Sequence, residues 1–228
     1  FLYFRKTESV MTDPITSRSN PLVKYAASLQ TKKGREEAGA FPVEGEKLFL
    51  ETVRAGVAIE RIFVSEARRD ALFGMISDAL SVSAEEDPRV TLLSESAYSK
   101  ISSENAPQGI LTVIKSLDIF KKCIKIDKKE FLSFKDGRLL ALASVRDPGN
   151  LGAILRSAAA FGFSGILLSD DCVELTNPKT ARAAMGALFR MKLTVVEDMV
   201  STLREAKAAG RKVYAAELRE GARSVLET

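Results

Sequence analysis

The sequence contains no histidine, and only two of its 228 residues are cysteines. Without histidine the chain cannot supply a Ser-His or Cys-His nucleophilic pair or a histidine-ligated metal site, so we expect no metal. Cys123 and Cys172 lie far apart in the sequence and belong to no spaced cysteine motif. This argues against a disulfide framework or a thiolate zinc site and favours a reducing, cytoplasmic location. Acid–base chemistry must therefore come from carboxylates, lysine, tyrosine, arginine or the substrate.

The sequence also lacks a long apolar run. No segment approaches the ~20 apolar residues that a membrane-spanning helix needs, so we expect no membrane partner. Residues 1–14 carry an apolar stretch too short for a signal peptide, placed before rather than after its charges, and we predict a disordered extension there. The remaining composition, 46% hydrophobic and 28% charged, is typical of a globular protein.

The net charge of +4 is mildly basic, and its distribution is more informative than its sum. Residues 115–138 contain eight basic and four acidic side chains, and a second basic group near the start comprises Arg18, Lys24, Lys32, Lys33 and Arg35. Each cluster taken alone is typical of a solvated surface or a linker. A polyanionic partner is permitted by this charge but not required.

The order of the predicted elements divides the chain into two α/β parts. Residues 15–114 alternate short helices and strands and predict a compact module, and residues 115–137 predict a basic linker. From residue 138 onward, strands and helices alternate regularly, which predicts a parallel sheet with right-handed crossovers. The predicted strands there are Leu139–Val145, Gly165–Ser169, Lys192–Val196 and Lys212–Ala216, and the helices are Leu151–Phe161, Pro178–Phe189 and Val200–Ala209.

The turn between the first of these strands and its helix is the strongest candidate for a site. Asp147-Pro148-Gly149-Asn150 brings a side-chain amide and unpaired backbone N–H groups to the carboxyl edge of the sheet, where open α/β sheets bind ligands. Arg156 lies off the apolar face of the helix, and Gly152 precedes it by one turn. Because glycine costs a helix ~1 kcal/mol relative to alanine, Gly152 predicts a close neighbour. A solvent-exposed surface arginine is the alternative, but the polar turn favours a site.

A second segment has similar features. Asn177 and Pro178 predict a helix start, and the helix that follows to Phe189 consists almost entirely of small residues, which permit close backbone approach. Lys179 and Arg182 are candidate phosphate contacts or ordinary surface charges.

Val145–Gly162 and Asn177–Phe189 resemble the first two signature motifs of the SpoU (TrmH-like) family of RNA ribose 2′-O-methyltransferases, within the SPOUT superfamily. Asn20-Pro21, Val43-Glu44-Gly45 and Pro107-Gln108-Gly109 resemble the substrate-binding domain of that family, which is similar to ribosomal-protein-like RNA-binding modules. The resemblance extends over nearly all of residues 15–228. It implies an N-terminal RNA-binding module followed by a parallel-sheet SPOUT domain.

The resemblance also implies a reaction and the residues that perform it. S-adenosylmethionine would donate a methyl group to a ribose 2′-hydroxyl of RNA, with Asn150 and Arg156 as the catalytic pair. Since an arginine side chain stays protonated, we expect Arg156 to hold a phosphate and orient the hydroxyl rather than to act as a base. The dedicated N-terminal module favours ribosomal RNA over transfer RNA. The resemblance further implies a homodimer, with Arg156 near the partner's cofactor pocket.

The predicted RNA contacts are basic side chains from both parts of the chain, and they would add salt-dependent affinity for phosphates. They are Lys24, Lys32, Lys33, Arg35, Lys179 and Arg182.

Two departures from the family pattern leave alternatives open. Ala184 stands where many relatives carry a serine, and the third motif, which completes the SPOUT knot and cofactor pocket, is absent. We therefore expect an incomplete knot, with only Ala216, Glu217 and Leu218 as candidate cofactor-binding residues. A non-catalytic RNA-binding protein is one alternative. An α/β enzyme that uses the Pro-Gly-Asn turn to bind a nucleotide phosphate is another.

Overall fold

The computed structural model describes residues 13–116, 137–216 and 220–221. The predicted N-terminal extension (residues 1–14) and the predicted basic linker (residues 115–137) lie almost wholly outside these ranges. Most of residues 217–228, which bear on the expectation of an incomplete knot, also lie outside them. Within the described residues, no helix is long and apolar enough to cross a membrane.

The N-terminal half is a four-stranded mixed sheet with helices packed around it. Its strands are β1 (Ala40–Glu44), β2 (Ile59–Ser65), β3 (Val90–Leu93) and β4 (Ile110–Lys115), in the order β1-β4-β2-β3. β4 is antiparallel to both β1 and β2, and β2 is parallel to β3. The helices are α1 (Pro21–Ser28), α2 (Lys32–Ala38), α3 (Glu46–Arg54), α4 (Arg69–Leu80, after a 3-10 turn at Glu66–Arg68) and α5 (Glu95–Ile101).

Local capping chemistry explains where two of these helices begin. Asn20 Oδ1 accepts a hydrogen bond from the backbone N–H of Leu22, and Pro21 occupies the first helical position, as the sequence predicts. The caps of α2 are likewise present in the sequence. Thr31 accepts from the N–H of Gly34, and Gly39 ends the helix with a φ of 59°.

The C-terminal half contains a parallel sheet, in agreement with the predicted fold class. β5 (Leu139–Leu142), β6 (Gly165–Ser169) and β7 (Leu193–Val196) are adjacent in that order, and both pairings are parallel. α6 (Pro148–Ala160) joins β5 to β6, α7 (Pro178–Ala184) and a 3-10 turn at Ala187–Phe189 join β6 to β7, and α8 (Met199–Ala208) follows β7.

Two predicted elements are wrong. Residues 211–216 form no strand, and the side chains of Val213 and Tyr214 are 41% and 68% exposed. A strand is stabilised largely by packing of its side chains against neighbouring elements. Within the described residues the side chains of this segment have little such packing, which explains the missing strand. The predicted helix Pro178–Phe189 ends early because Met185 and Gly186 both adopt left-handed conformations, with φ of 50° and 84°.

The two halves share a hydrophobic core. The face of β1 and the start of α3 supply Phe41, Val43 and Leu48, which pack in one cluster with Leu151 and Leu155 of α6. Since α7 contacts both β1 and α6, it lies between the two halves. The catalytic candidates on α6 are therefore built on a rigid layer rather than on a hinge.

Candidate active site

The turn between β5 and α6 places the two predicted catalytic side chains. α6 begins at Pro148, so Asn150 lies in its first turn, and the Asp147 carboxylate caps the helix by accepting from the Asn150 N–H at 2.7 Å. That N–H is therefore satisfied within the chain and is not free for a ligand. The side chains of Asn150 and Arg156 are both exposed.

The spacing of these two residues constrains how they can act together. Six residues on an α-helix correspond to about 9 Å along the axis and roughly 120° around it. Within the described residues, no hydrogen bond joins the Asn150 and Arg156 side chains. The structure therefore gives no sign that Asn150 supports Arg156, and the helix displays the two side chains separately.

Hydrogen bonds tie the turn to the end of the neighbouring strand. The hydroxyls of Ser144 and Ser169 each donate to one oxygen of the Asp171 carboxylate at 2.6 Å, and the backbone N–H of Ser144 donates to Ser169 Oγ at 2.9 Å. These bonds, with a weaker contribution from Arg146, lower the pKa of Asp171 to about 2. Asp171 is therefore a carboxylate at any pH at which the protein would be assayed.

Gly152 is where α6 comes closest to α7. A Cβ atom at this position would lie 2.5 Å from Ala183 Cβ, 2.6 Å from the carbonyl oxygen of Thr180 and 2.8 Å from the backbone nitrogen of Ala184. The sequence therefore predicted a close neighbour correctly, and that neighbour is a helix of the same chain. Ala184 is fully buried, so a serine hydroxyl at this position would lie within the packing of α7.

Comparison with known proteins decides what this arrangement belongs to. The SpoU rRNA methylase family model matches residues 137–228, and a model of the MRM3-like substrate-binding domain matches residues 20–112. The 23S rRNA (guanosine(2553)-2′-O)-methyltransferase RlmP of Bacillus subtilis is 31% identical over 208 residues, which are 91% of this chain and 75% of that protein.

The chain belongs to the SpoU family.

Two further similar proteins, both named rRNA methyltransferases, agree. The mitochondrial rRNA methyltransferase 3 of Xenopus laevis is 32% identical over 200 residues, covering 86% of this chain but only 44% of that protein. An S-adenosylmethionine-bound rRNA methyltransferase from Sinorhizobium meliloti superposes with a TM-score of 0.67 at 27% identity, over 85% of this chain and 69% of that one. The predicted family and the predicted two-part fold are thereby confirmed.

The predicted RNA-contacting residues fall into three environments. Lys24, Lys33 and Lys179 are exposed, as a phosphate contact requires. Lys32 is also largely exposed, but its Nζ lies 3.4 Å from a carboxylate oxygen of Glu174. Arg182 forms an ion pair with Glu104 of the N-terminal half.

Arg35 is the exception, and the structure does not support it as a phosphate contact. Its side chain is 5% exposed, because its Nη2 donates to Glu174 at 2.7 Å and its Nη1 donates to the carbonyl oxygens of Leu29 and Gln30 at 3.2 Å. The sequence indicated a surface position for Arg35 because it belongs to a cluster of basic residues. Its partner Glu174 lies 139 residues away, and no local sequence pattern identifies that partner. Arg35 is a structural link between the two halves.

The predicted cofactor-binding residues gain little from the structure. Ala216 is exposed in the irregular segment 211–216, and Glu217 and Leu218 lie outside the described residues. An open cavity of about 390 Å³ lies at the carboxyl ends of β6 and β7, and the Arg35–Glu174 ion pair forms part of its lining. Ala216 is not among the residues that line this cavity.

Proposed function

We propose that this protein transfers the methyl group of S-adenosylmethionine to a ribose 2′-hydroxyl of ribosomal RNA. The observation that carries the proposal is the presence of Asn150, in the first turn of α6, and Arg156, in its third turn, both exposed, in a chain that aligns along 91% of its length with a ribosomal RNA 2′-O-methyltransferase. S-adenosylmethionine supplies the methyl group and leaves as S-adenosylhomocysteine. Methyl transfer from a sulfonium is an in-line displacement, so positioning provides much of the rate acceleration.

Arg156 and Asn150 are the groups we assign to that positioning. The Arg156 guanidinium offers several N–H donors in a planar fork, which suits a phosphate oxygen and the acceptor lone pairs of the 2′-hydroxyl. Held this way, the 2′-hydroxyl would be oriented to receive the methyl group that bound S-adenosylmethionine would supply, and its proton would pass to water. Asn150, separated from Arg156 by about 9 Å along the helix, holds a second point of the nucleotide.

The exposed lysines give the proposed RNA surface. Among the described residues, the ion pair of Lys33 with Glu37 at 3.7 Å is the only one that Lys24, Lys33 or Lys179 makes with a carboxylate, and it is exposed. Such side chains exchange counterions for phosphates and add affinity without sequence specificity. We propose that Lys32 and Arg182 join this surface only when RNA competes with Glu174 and Glu104.

We further propose a cytoplasmic homodimer in which Arg156 of one protomer works beside the cofactor of the other. The exposure of Arg156 supports this arrangement, because its side chain is accessible to a second molecule. Light scattering of the purified protein measures the assembly directly, and a monomer at micromolar concentration that methylates RNA at full rate contradicts it.

A non-catalytic RNA-binding role is the second candidate, and membership of the SpoU family favours catalysis over it. The deciding experiment measures transfer of radiolabelled methyl groups from S-adenosylmethionine to ribosomal RNA by the full protein. We expect Arg156→Ala to lower the rate 10²–10³-fold, in line with the loss of a group that stabilises a transition state.

Arg204→Ala is the matched control, because Arg204 is an exposed arginine on a different helix, α8. It should retain the wild-type rate. The second candidate is supported if the protein binds RNA, transfers no methyl groups and releases no heat on titration with S-adenosylmethionine. Full activity of Arg156→Ala rejects the assigned site while leaving the reaction in place.

A further inference from the structure

Ser144 has a backbone conformation that its side chain does not favour. It follows β5 directly and adopts a φ of 55°, in the left-handed region, which residues other than glycine and asparagine rarely occupy. It lies three residues before Asp147, the N-cap of α6. Strained residues persist only where their surroundings hold them in place, and they occur disproportionately at functional sites.

Asp171 provides most of that restraint. Its two carboxylate oxygens accept from the hydroxyls of Ser144 and Ser169 at 2.6 Å each, and one of them also lies 3.3 Å from Nη2 of Arg146. Ser169 in turn accepts from the backbone N–H of Ser144 at 2.9 Å. One side chain on the loop after β6 therefore fixes both the side chain and, through Ser169, the backbone of the strained residue.

The restraint extends to the catalytic helix. The backbone N–H of Val173 donates to the carbonyl oxygen of Val145 at 2.9 Å, so the two loops are joined on both sides of Asp171. From Val145 the chain passes directly into the Asp147 cap and the first turn of α6, where Asn150 lies. A turn that relaxes at Ser144 changes the direction in which α6 leaves the sheet.

We propose that Asp171 is a positioning residue for methyl transfer, which acts through Ser144 and Ser169 to hold the turn before α6 and so fixes Asn150 and Arg156 against the RNA ribose. The proposal rests on the proposed function. Asp171 does not touch the substrate in this account, so its removal lowers kcat and leaves the affinities for RNA and S-adenosylmethionine unchanged.

The test compares Asp171→Ala with Asp170→Ala in the full protein. Asp170 is the adjacent carboxylate, it is exposed, and it makes no hydrogen bond to the turn, so both variants lose the same charge. We expect Asp171→Ala to lower kcat at least 10-fold with KM for RNA within twofold, and Asp170→Ala to match the wild type. An unchanged kcat for Asp171→Ala, an equal loss in both variants, or a loss confined to KM overturns the proposal.

A second variant separates positioning from a general loss of stability. Glycine adopts a φ of 55° without strain, so Ser144→Gly introduced into Asp171→Ala removes part of the need for the carboxylate. The kcat of the double variant should be at least threefold higher than that of Asp171→Ala. A double variant no better than Asp171→Ala shows that the loss does not arise at Ser144, which also overturns the proposal.

Hydrogen exchange keeps the test independent of activity. The amides of residues 145–147, 149 and 150 should exchange at least 10-fold faster in Asp171→Ala than in the wild type or in Asp170→Ala. If the wild-type protein does not methylate RNA, only the proposed function is rejected, because the exchange result still decides whether Asp171 holds the turn. Unchanged exchange in Asp171→Ala rejects the inference alone.

Discussion

Replacing Gly152 with alanine tests how closely α6 and α7 approach each other. In an open helix this substitution is favourable by ~1 kcal/mol, because alanine restricts the unfolded chain and suits the helix. At Gly152 the new Cβ would lie 2.6 Å from the carbonyl oxygen of Thr180 and 2.8 Å from the backbone nitrogen of Ala184. Both are backbone atoms of α7, so neither can give way by changing a rotamer.

Relief of these contacts requires the two helices to move apart. Overpacking of this kind costs about 1–3 kcal/mol, which offsets the ~1 kcal/mol gain in helix propensity and leaves a net loss of up to about 2 kcal/mol. For a chain of this size, 1 kcal/mol corresponds to a shift of about 2–4 °C in Tm. Because α6 carries Asn150 and Arg156, the same displacement should also lower the rate of methyl transfer.

Gly74 is the matched control for this substitution. It lies inside α4, it is exposed, and a Cβ at this position would have no atom within 4 Å. Gly74→Ala should therefore stabilise the protein by up to ~1 kcal/mol and leave activity unchanged. Denaturant unfolding followed by circular dichroism measures both variants, and the reasoning fails if Gly152→Ala stabilises the protein as Gly74→Ala does.

Two further predictions concern ion pairs. Arg35→Met should destabilise the protein by about 1–3 kcal/mol in denaturant unfolding, because buried acceptors lose their donor and Glu174 loses its closest cation. Lys33→Met, at an 85% exposed position, should change it by less than ~0.5 kcal/mol, and equal effects would contradict a structural role for Arg35. Hydrogen bonding from Arg89 lowers the pKa of Asp87, so this pair stabilises the fold above the unfolded carboxyl pKa of about 4, and the stabilisation is lost as pH falls through the lower folded value. Asp87→Asn should therefore flatten the acid limb of the stability profile, and an unchanged profile below pH 4 would refute it.

Local chemistry is what made the site predictable from the sequence. Asn20, Asp147 and Asn177 each cap a helix whose first residue is a proline, and the helices from Pro21 and Pro178 begin where their caps indicate. The helix predicted from Leu151 begins three residues earlier, at Pro148, because the Asp147 carboxylate caps it there. Since Asn150 and Arg156 take their positions from one of these caps, the catalytic candidates could be placed without tertiary information. Their assignment to methyl transfer came from the resemblance to SpoU proteins.

Long-range contacts account for most of what the sequence did not predict. Arg35 is paired with a residue 139 positions away, so its charge indicated a surface although it is buried. The helix from Pro178 ends at Ala184 partly because Gly186 packs against the Glu51 side chain, which a Cβ would contact at 2.6 Å. In both cases the deciding partner belongs to the other half of the chain.

The small residues of α7 have a structural explanation that also bears on function. α7 packs against α6 at Gly152 on one side and against β1 on the other, and side chains larger than alanine would separate these layers. The ion pairs of Arg182 with Glu104 and of Arg190 with Glu51 then anchor both ends of this segment to the N-terminal half. α7 therefore determines how far α6 lies from β1 and the rest of the N-terminal half.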